Sequence, residues 1–228
     1  MADETATTLA AAELLRSRFR RDKIILVAHS GGTIPATFAV QQRPELFSAY
    51  VGVGQAASPT RSDHAQYDDT LAWARANGRI DLARKLAEAG PPPYDDLWSY
   101  EPMIMAEGDV YGFDNSGALL ENFAVPEHSL LDKAHVATGF LDSYDVYYPR
   151  SAGVEFRAQV PSLAVPVYFV AGAREVPGRT RDLERWYALL RAPHKEIVTL
   201  PEAGHRSMFQ QPEAFVRVMD RVRAGSSG

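Results

Sequence analysis

Cysteine is absent from all 228 residues. That absence excludes disulfide frameworks, thiolate metal sites and a cysteine nucleophile together. Long apolar runs are missing too: nothing approaches the roughly 18 residues of a membrane-crossing helix, so no membrane partner is expected. Charge of one sign is scarce, with 24 Lys and Arg against 29 Asp and Glu and a formal net charge of −5. A small, mixed charge with no long basic run argues against nucleic acid as a partner. The opening stretch MADETATTLAAAELL is acidic where a secretory leader would be basic. A cytoplasmic address is therefore the default, unless a signal has been lost with a missing front end. No pair among His29, His64, His128, His135, His194 and His205 has the helical His-x-x-x-His spacing of a metal site, and neither metal nor cofactor is expected. Internal repeats and low-complexity segments are lacking as well.

What is present is enough for a core: 46% of the residues are hydrophobic and 10% aromatic. Leu9, Leu14, Leu15 and Phe19 fall near helical spacing, and arginines crowd the end of that stretch, as suits a helix C-terminus. KIILVAH (23–29) follows without alternation, the pattern of a strand buried on both faces of a parallel sheet. A helix is expected over 33–42, ended by Pro44, and FSAYVGVGQ (47–55) reads as a second strand, which makes a parallel βαβ unit. Composition then shifts. Residues 56–160 carry helical patterns and no convincing strand, so they read as a helical insertion that would form a cap. Its aromatics, Trp98, Tyr100, Tyr144, Tyr147 and Tyr148, are expected in its core rather than on a substrate. The strand pattern resumes at VPVYFVAG (165–172), with a helix over 179–191, and ends at HKEIVTL (194–200). A closing amphipathic helix is expected to turn Phe215, Val216, Met219 and Val222 inward. The expected organisation is 1–55 and 161–223 as two parts of an α/β core, 56–160 as the cap, and 224–228 as a flexible tail.

One turn carries chemistry. In Ala28-His29-Ser30-Gly31-Gly32 a serine sits where an apolar strand stops and a helix begins. Small-x-Ser-x-Gly occurs by chance in about one chain in six of this length, so the pentapeptide alone is weak. The strand–turn–helix placement is what a nucleophile elbow requires, because small flanking residues let strand and helix approach while the hydroxyl stands clear. A serine hydroxyl needs a base, and the base an orienting acid. In this architecture they follow in the order Ser, acid, His, each in a loop after a later strand. Glu175 in GAREVP and His205 in PEAGHRSMF occupy those loops. Glu175 has a competing reading as a solvated loop carboxylate beside Arg174, and Ser30 and His205 as ordinary turn residues.

The stretches ILVAHSGGT, PELFSAYVGVGQ, GPPPY, VPVYFVAG and GHRSMFQQPEAF together resemble the α/β-hydrolase fold superfamily, in particular its prolyl-aminopeptidase-like branch. The resemblance implies a mostly parallel sheet with a helical cap, Ser30 as nucleophile, His205 as general base and acid, and Glu175 as the orienting carboxylate. Relatives usually carry Asp at the acid position, and Glu reaches slightly further. The family often has a bulky residue after the serine, where this chain has Gly31. The resemblance also implies Gly31 N–H as an oxyanion donor, with His29 and Gly32 as elbow residues beside the substrate. Relatives place earlier strands, and a loop giving a second oxyanion donor, ahead of the elbow. The chain is therefore expected to be a fragment truncated at its N-terminus, or to need a partner. Its first strand would then be an exposed apolar edge through which it self-associates. The expected function is a serine hydrolase acting through an acyl-enzyme on an ester or amide of a small molecule or peptide, including N-terminal aminoacyl or prolyl bonds. The alternative is a non-catalytic or partner-dependent α/β-hydrolase fragment lacking half its oxyanion hole.

Overall fold

The computed structural model describes residues 1–112 and 124–226, apart from the side chains at 137, 140, 143 and 144. The Tyr144 ring and the last two residues of the expected tail thus lie outside the described residues. Alternating apolar strands and helices produce a four-stranded parallel sheet: β1 (Ile24–His29), β2 (Phe47–Val53), β3 (Val167–Gly172) and β4 (Lys195–Leu200). The strands lie side by side in chain order, β1-β2-β3-β4. Val51 stands between Val27 and Tyr168, and Phe169 faces Ile197, which sets the register.

The chain divides into two compact units, residues 1–62 with 154–228, and residues 63–153. The first holds the sheet. Because side chains alternate across a strand, Val167 and Phe169 join Ile34, Phe47, Tyr50 and Trp186 in one cluster. Tyr168 and Val170 join Ala49, Val51, Val53, Val218 and Val222 in another. β2 and β3 are thus covered on both faces. The uninterrupted apolar run of β1 predicts the same, yet β1 is only half-buried and Val27 is 40% exposed. The reason is position: β1 is the sheet's edge, with no further strand beside it among the described residues.

Helices Thr33–Gln42 and Pro177–Leu189 follow β1 and β3 as the sequence suggests, although the second begins two residues earlier, at Pro177, whose fixed φ suits a first helical turn. Its Trp186 is fully buried and donates Nε1–H to the Val160 carbonyl at 2.8 Å. The closing helix Pro212–Gly225 continues through Ala224 and Gly225, the first two residues of the expected tail. Its inward stripe differs by one residue from expectation. Val218 and Val222 are buried with Phe215 and Met219 beside them, whereas Val216 is 57% exposed. Positions 215, 218, 219 and 222 keep the i, i+3, i+4, i+7 spacing that one helix face demands, and Val216 falls off it.

The regular elements in the described part of the second unit are helices: the later turns of Pro59–Ala76, then Ile80–Ala89, Leu97–Tyr111 and Leu130–Asp142, and a π-helical turn leading into Tyr148–Ser151. Tyr67, Leu86, Tyr94, Tyr100 and Met103 form its core. Tyr94 and Tyr148 each pack edge-on to Tyr100, with ring centroids 4.8 Å away, and the Tyr148 hydroxyl donates to Asp63 at 3.0 Å. Trp98, expected in the core, is exposed instead. Among the described residues no helix is long and apolar enough to cross a membrane.

Candidate active site

The chain leaves β1 at His29 and turns sharply, with Ser30 at φ 53°. A positive φ costs a non-glycine residue about 1–3 kcal/mol and persists only where its surroundings hold it. Here they do. Residues Ser30–Gly32 make one 3₁₀ turn that runs straight into the helix Thr33–Gln42. The fully buried Thr33 donates its hydroxyl to the Ser30 carbonyl and accepts the Ala56 N–H at 3.1 Å. Below it, Tyr50 donates to Gln55 Oε1 at 2.7 Å, and Thr37 donates to the Thr33 carbonyl at 2.7 Å. This buried polar ladder ties the elbow to β2 and to the segment that follows it.

The loop after β4 carries His205 and is fitted against strand ends with no room for side chains. A Cβ on Gly172, at the end of β3, would lie 2.1 Å from the Ala203 carbonyl oxygen. Gly54, just past β2, has φ +55°, and a Cβ there would lie 2.9 Å from His205 Cε1. The loop's own backbone is held as well: Gly204 N–H donates to Gln210 Oε1 at 2.8 Å. The His205 carbonyl accepts from His29 Nε2 at 3.0 Å. Burial, and then the neighbouring charge of His205, lower the His29 pKa to about 4. His29 is therefore neutral at pH 7, with its one hydrogen on Nε2, where the carbonyl needs it.

Three side chains from three loops meet here. His205 Nε2 lies 2.7 Å from Ser30 Oγ, and His205 Nδ1 lies 2.7 Å from Glu175 Oε2. Glu175 is not a solvated carboxylate: its side chain is 3% exposed, and its cationic neighbour is Arg179, not Arg174. The remaining oxygen, Oε1, accepts the Val176 N–H at 2.9 Å and Arg179 Nη1 at 3.0 Å. Burial pushes this carboxyl up, but the charges of His205 and Arg179 and the hydrogen bonds from His205 and Val176 outweigh it, so the pKa falls to about 2. An ionised acid, an imidazole between acid and alcohol, and a hydroxyl on a strained turn can together make that oxygen nucleophilic.

The candidate site residues named from the sequence thus fall in one neighbourhood, Gly31 and Gly32 in the turn itself. His29 has a more particular place than substrate-adjacent: its ring centroid is 5.1 Å from that of His205 and 6.2 Å from that of Phe209. Sequence reasoning missed Thr33, Gly54, Gly172, Gln210 and Arg179. Only Arg179 left a signal, standing four residues after Glu175 at the spacing of a helical ion pair.

A sequence model described as the alpha/beta hydrolase family matches residues 2–218. A curated relative, a probable aminopeptidase, YbaC, of Bacillus subtilis strain 168, is 21% identical over 237 residues, covering 94% of this chain and 69% of its own. Among solved structures, a proline iminopeptidase of Mycobacterium smegmatis superposes with a TM-score of 0.58 at 15% identity, covering 96% of this chain and 71% of that one. An alpha/beta fold family hydrolase of Bacillus anthracis strain Sterne gives 0.57 at 14% identity, covering 96% and 73%. At such identities the structural likenesses speak for the fold.

Proposed function

Because the chain belongs to the alpha/beta hydrolase family and is a hydrolase, we propose that it cleaves an ester or amide bond through an acyl-enzyme formed on Ser30. His205 Nε2 takes the Ser30 proton as Oγ bonds to the substrate's carbonyl carbon. The carbonyl oxygen becomes an oxyanion, towards which the Gly31 N–H donates in this reading; one such donor contributes about 2.7–4 kcal/mol. The imidazolium then gives its proton to the departing alcohol or amine, leaving the acyl group on Ser30. Water, deprotonated by the same nitrogen, attacks the acyl carbon; the bond from that carbon to Oγ then breaks, Oγ takes the proton back from the imidazolium, and the carboxylic acid product leaves. Throughout, Glu175 holds Nδ1–H and so fixes which nitrogen faces the serine.

The observation that carries this reading is the pair of 2.7 Å contacts linking Ser30, His205 and Glu175. The aminopeptidase-like relative favours an amide substrate with a free N-terminus. The test is hydrolysis of p-nitrophenyl acetate beside a set of aminoacyl and prolyl p-nitroanilides. The protein should turn over at least one substrate, and Ser30→Ala should fall to the background rate. Turnover that survives in Ser30→Ala would rule this chemistry out.

A further inference from the structure

The carboxylate that orients His205 is shared. Oε2 of Glu175 faces the imidazole, while Oε1 is bound by a guanidinium, Arg179 Nη1, at 3.0 Å. The Glu175 side chain curls back to its neighbour's N–H at Val176 and meets a residue in the first turn of the helix Pro177–Leu189. The pair is screened little, since the Glu175 and Arg179 side chains are 3% and 19% exposed. From these contacts we propose that Arg179 is a positioning residue that draws on the Glu175 carboxylate, locks its rotamer, and weakens its hold on the protonated imidazole of His205. The inference rests on the reading of Ser30, His205 and Glu175 as the reacting set.

The physical consequence has a definite sign. A carboxylate favours an adjacent imidazolium, and a cation beside that carboxylate opposes it. The guanidinium approaches Oε1 while the imidazole occupies Oε2, so the attraction is reduced rather than reversed. With the cation removed, the full charge of the carboxylate acts on the imidazole. Other charged or titratable groups face His205 too. His29 lies against its ring and carbonyl, Ser30 against Nε2, and Arg206 is next in the chain with its guanidinium 4.9 Å from the Phe209 ring centroid. Arg174, in the loop after β3, is exposed. Further along the Arg179 helix, Asp182 is engaged by Arg61 at 3.3 Å and Arg185 at 3.4 Å.

The experiment follows the His205 ring by NMR in protein carrying labelled histidine, its signal assigned by its loss in His205→Asn. Arg179→Met, which removes the charge and keeps much of the volume, should move the titration midpoint of that signal upward by about one unit, while Arg179→Lys should leave it within about 0.3 unit. Arg179→Gln, a second neutral variant of different shape, should agree with Arg179→Met and stands in for it if the packing is disturbed. A residue that only braced the helix would alter melting temperature and leave the midpoint where it was. An unmoved or lowered midpoint in folded neutral variants would overturn the proposal. The titration needs no turnover, so absence of any Ser30 chemistry would defeat the hydrolase reading while the Arg179 result stood or fell by itself.

Discussion

At the scale of single residues, the neutral His29 ring has a consequence for stability. Its pKa in the folded chain, about 4, lies below the ordinary 6.5, so on acidification the unfolded chain takes up the proton first. The stability that neutral burial contributes is complete above pH 6.5 and is lost as pH falls from 6.5 to 4. The loss attributable to this ring is about 3 kcal/mol at most. Glu175, held at about 2 against an ordinary 4.5, adds a second loss below pH 4.5. Urea unfolding at pH 7 and pH 4.5 should therefore show a larger drop for the parent protein than for His29→Asn, and equal drops would contradict the assignment. Ser30, Glu175 and His205 were legible in the sequence because strand ends and chain order constrain where such groups can stand. The role of His29 was not, since a histidine beside a serine says nothing of which carbonyl its Nε2 will meet.

Elements explain why the loop histidine arrives where it does. A glycine just past β2 faces the imidazole, and β3 ends in one that lies under the loop backbone. Gly54→Ala would both strain a φ of +55° and press a methyl group against His205. It should lower kcat/KM on any substrate found by about 10²-fold, the scale of a misplacement near 1 Å, with a smaller effect on melting temperature than Gly172→Ala. In Gly172→Ala the added atom meets backbone oxygens at 2.1 and 2.3 Å, which a flexible side chain cannot relieve. Kinetics matching the parent in Gly54→Ala would show that the ring tolerates displacement. Strand and helix identities were readable from apolar runs and their punctuation. Close approaches between elements were not, because they depend on twist and register. The same limit explains Val216: its helix was legible, but the choice of stripe between 216 and 218 is settled by where the sheet lies.

For the whole molecule, the order β1-β2-β3-β4 brings the C-terminal ends of parallel strands to one edge of the sheet, and the three loops that meet there come from β1, β3 and β4. That convergence follows from parallel topology, and so was available from the alternating pattern alone. The partial exposure of β1 follows from the same topology, since it is the edge strand among the described residues. The central claim is that this gathering makes one hydroxyl, at Ser30, more reactive than every other in the chain. Its most direct test is exposure to a fluorophosphonate, followed by intact-mass measurement and peptide mapping. The account predicts a single adduct on Ser30, absent in Ser30→Ala and formed far more slowly in His205→Asn. No adduct, or one that persists in Ser30→Ala, would contradict it.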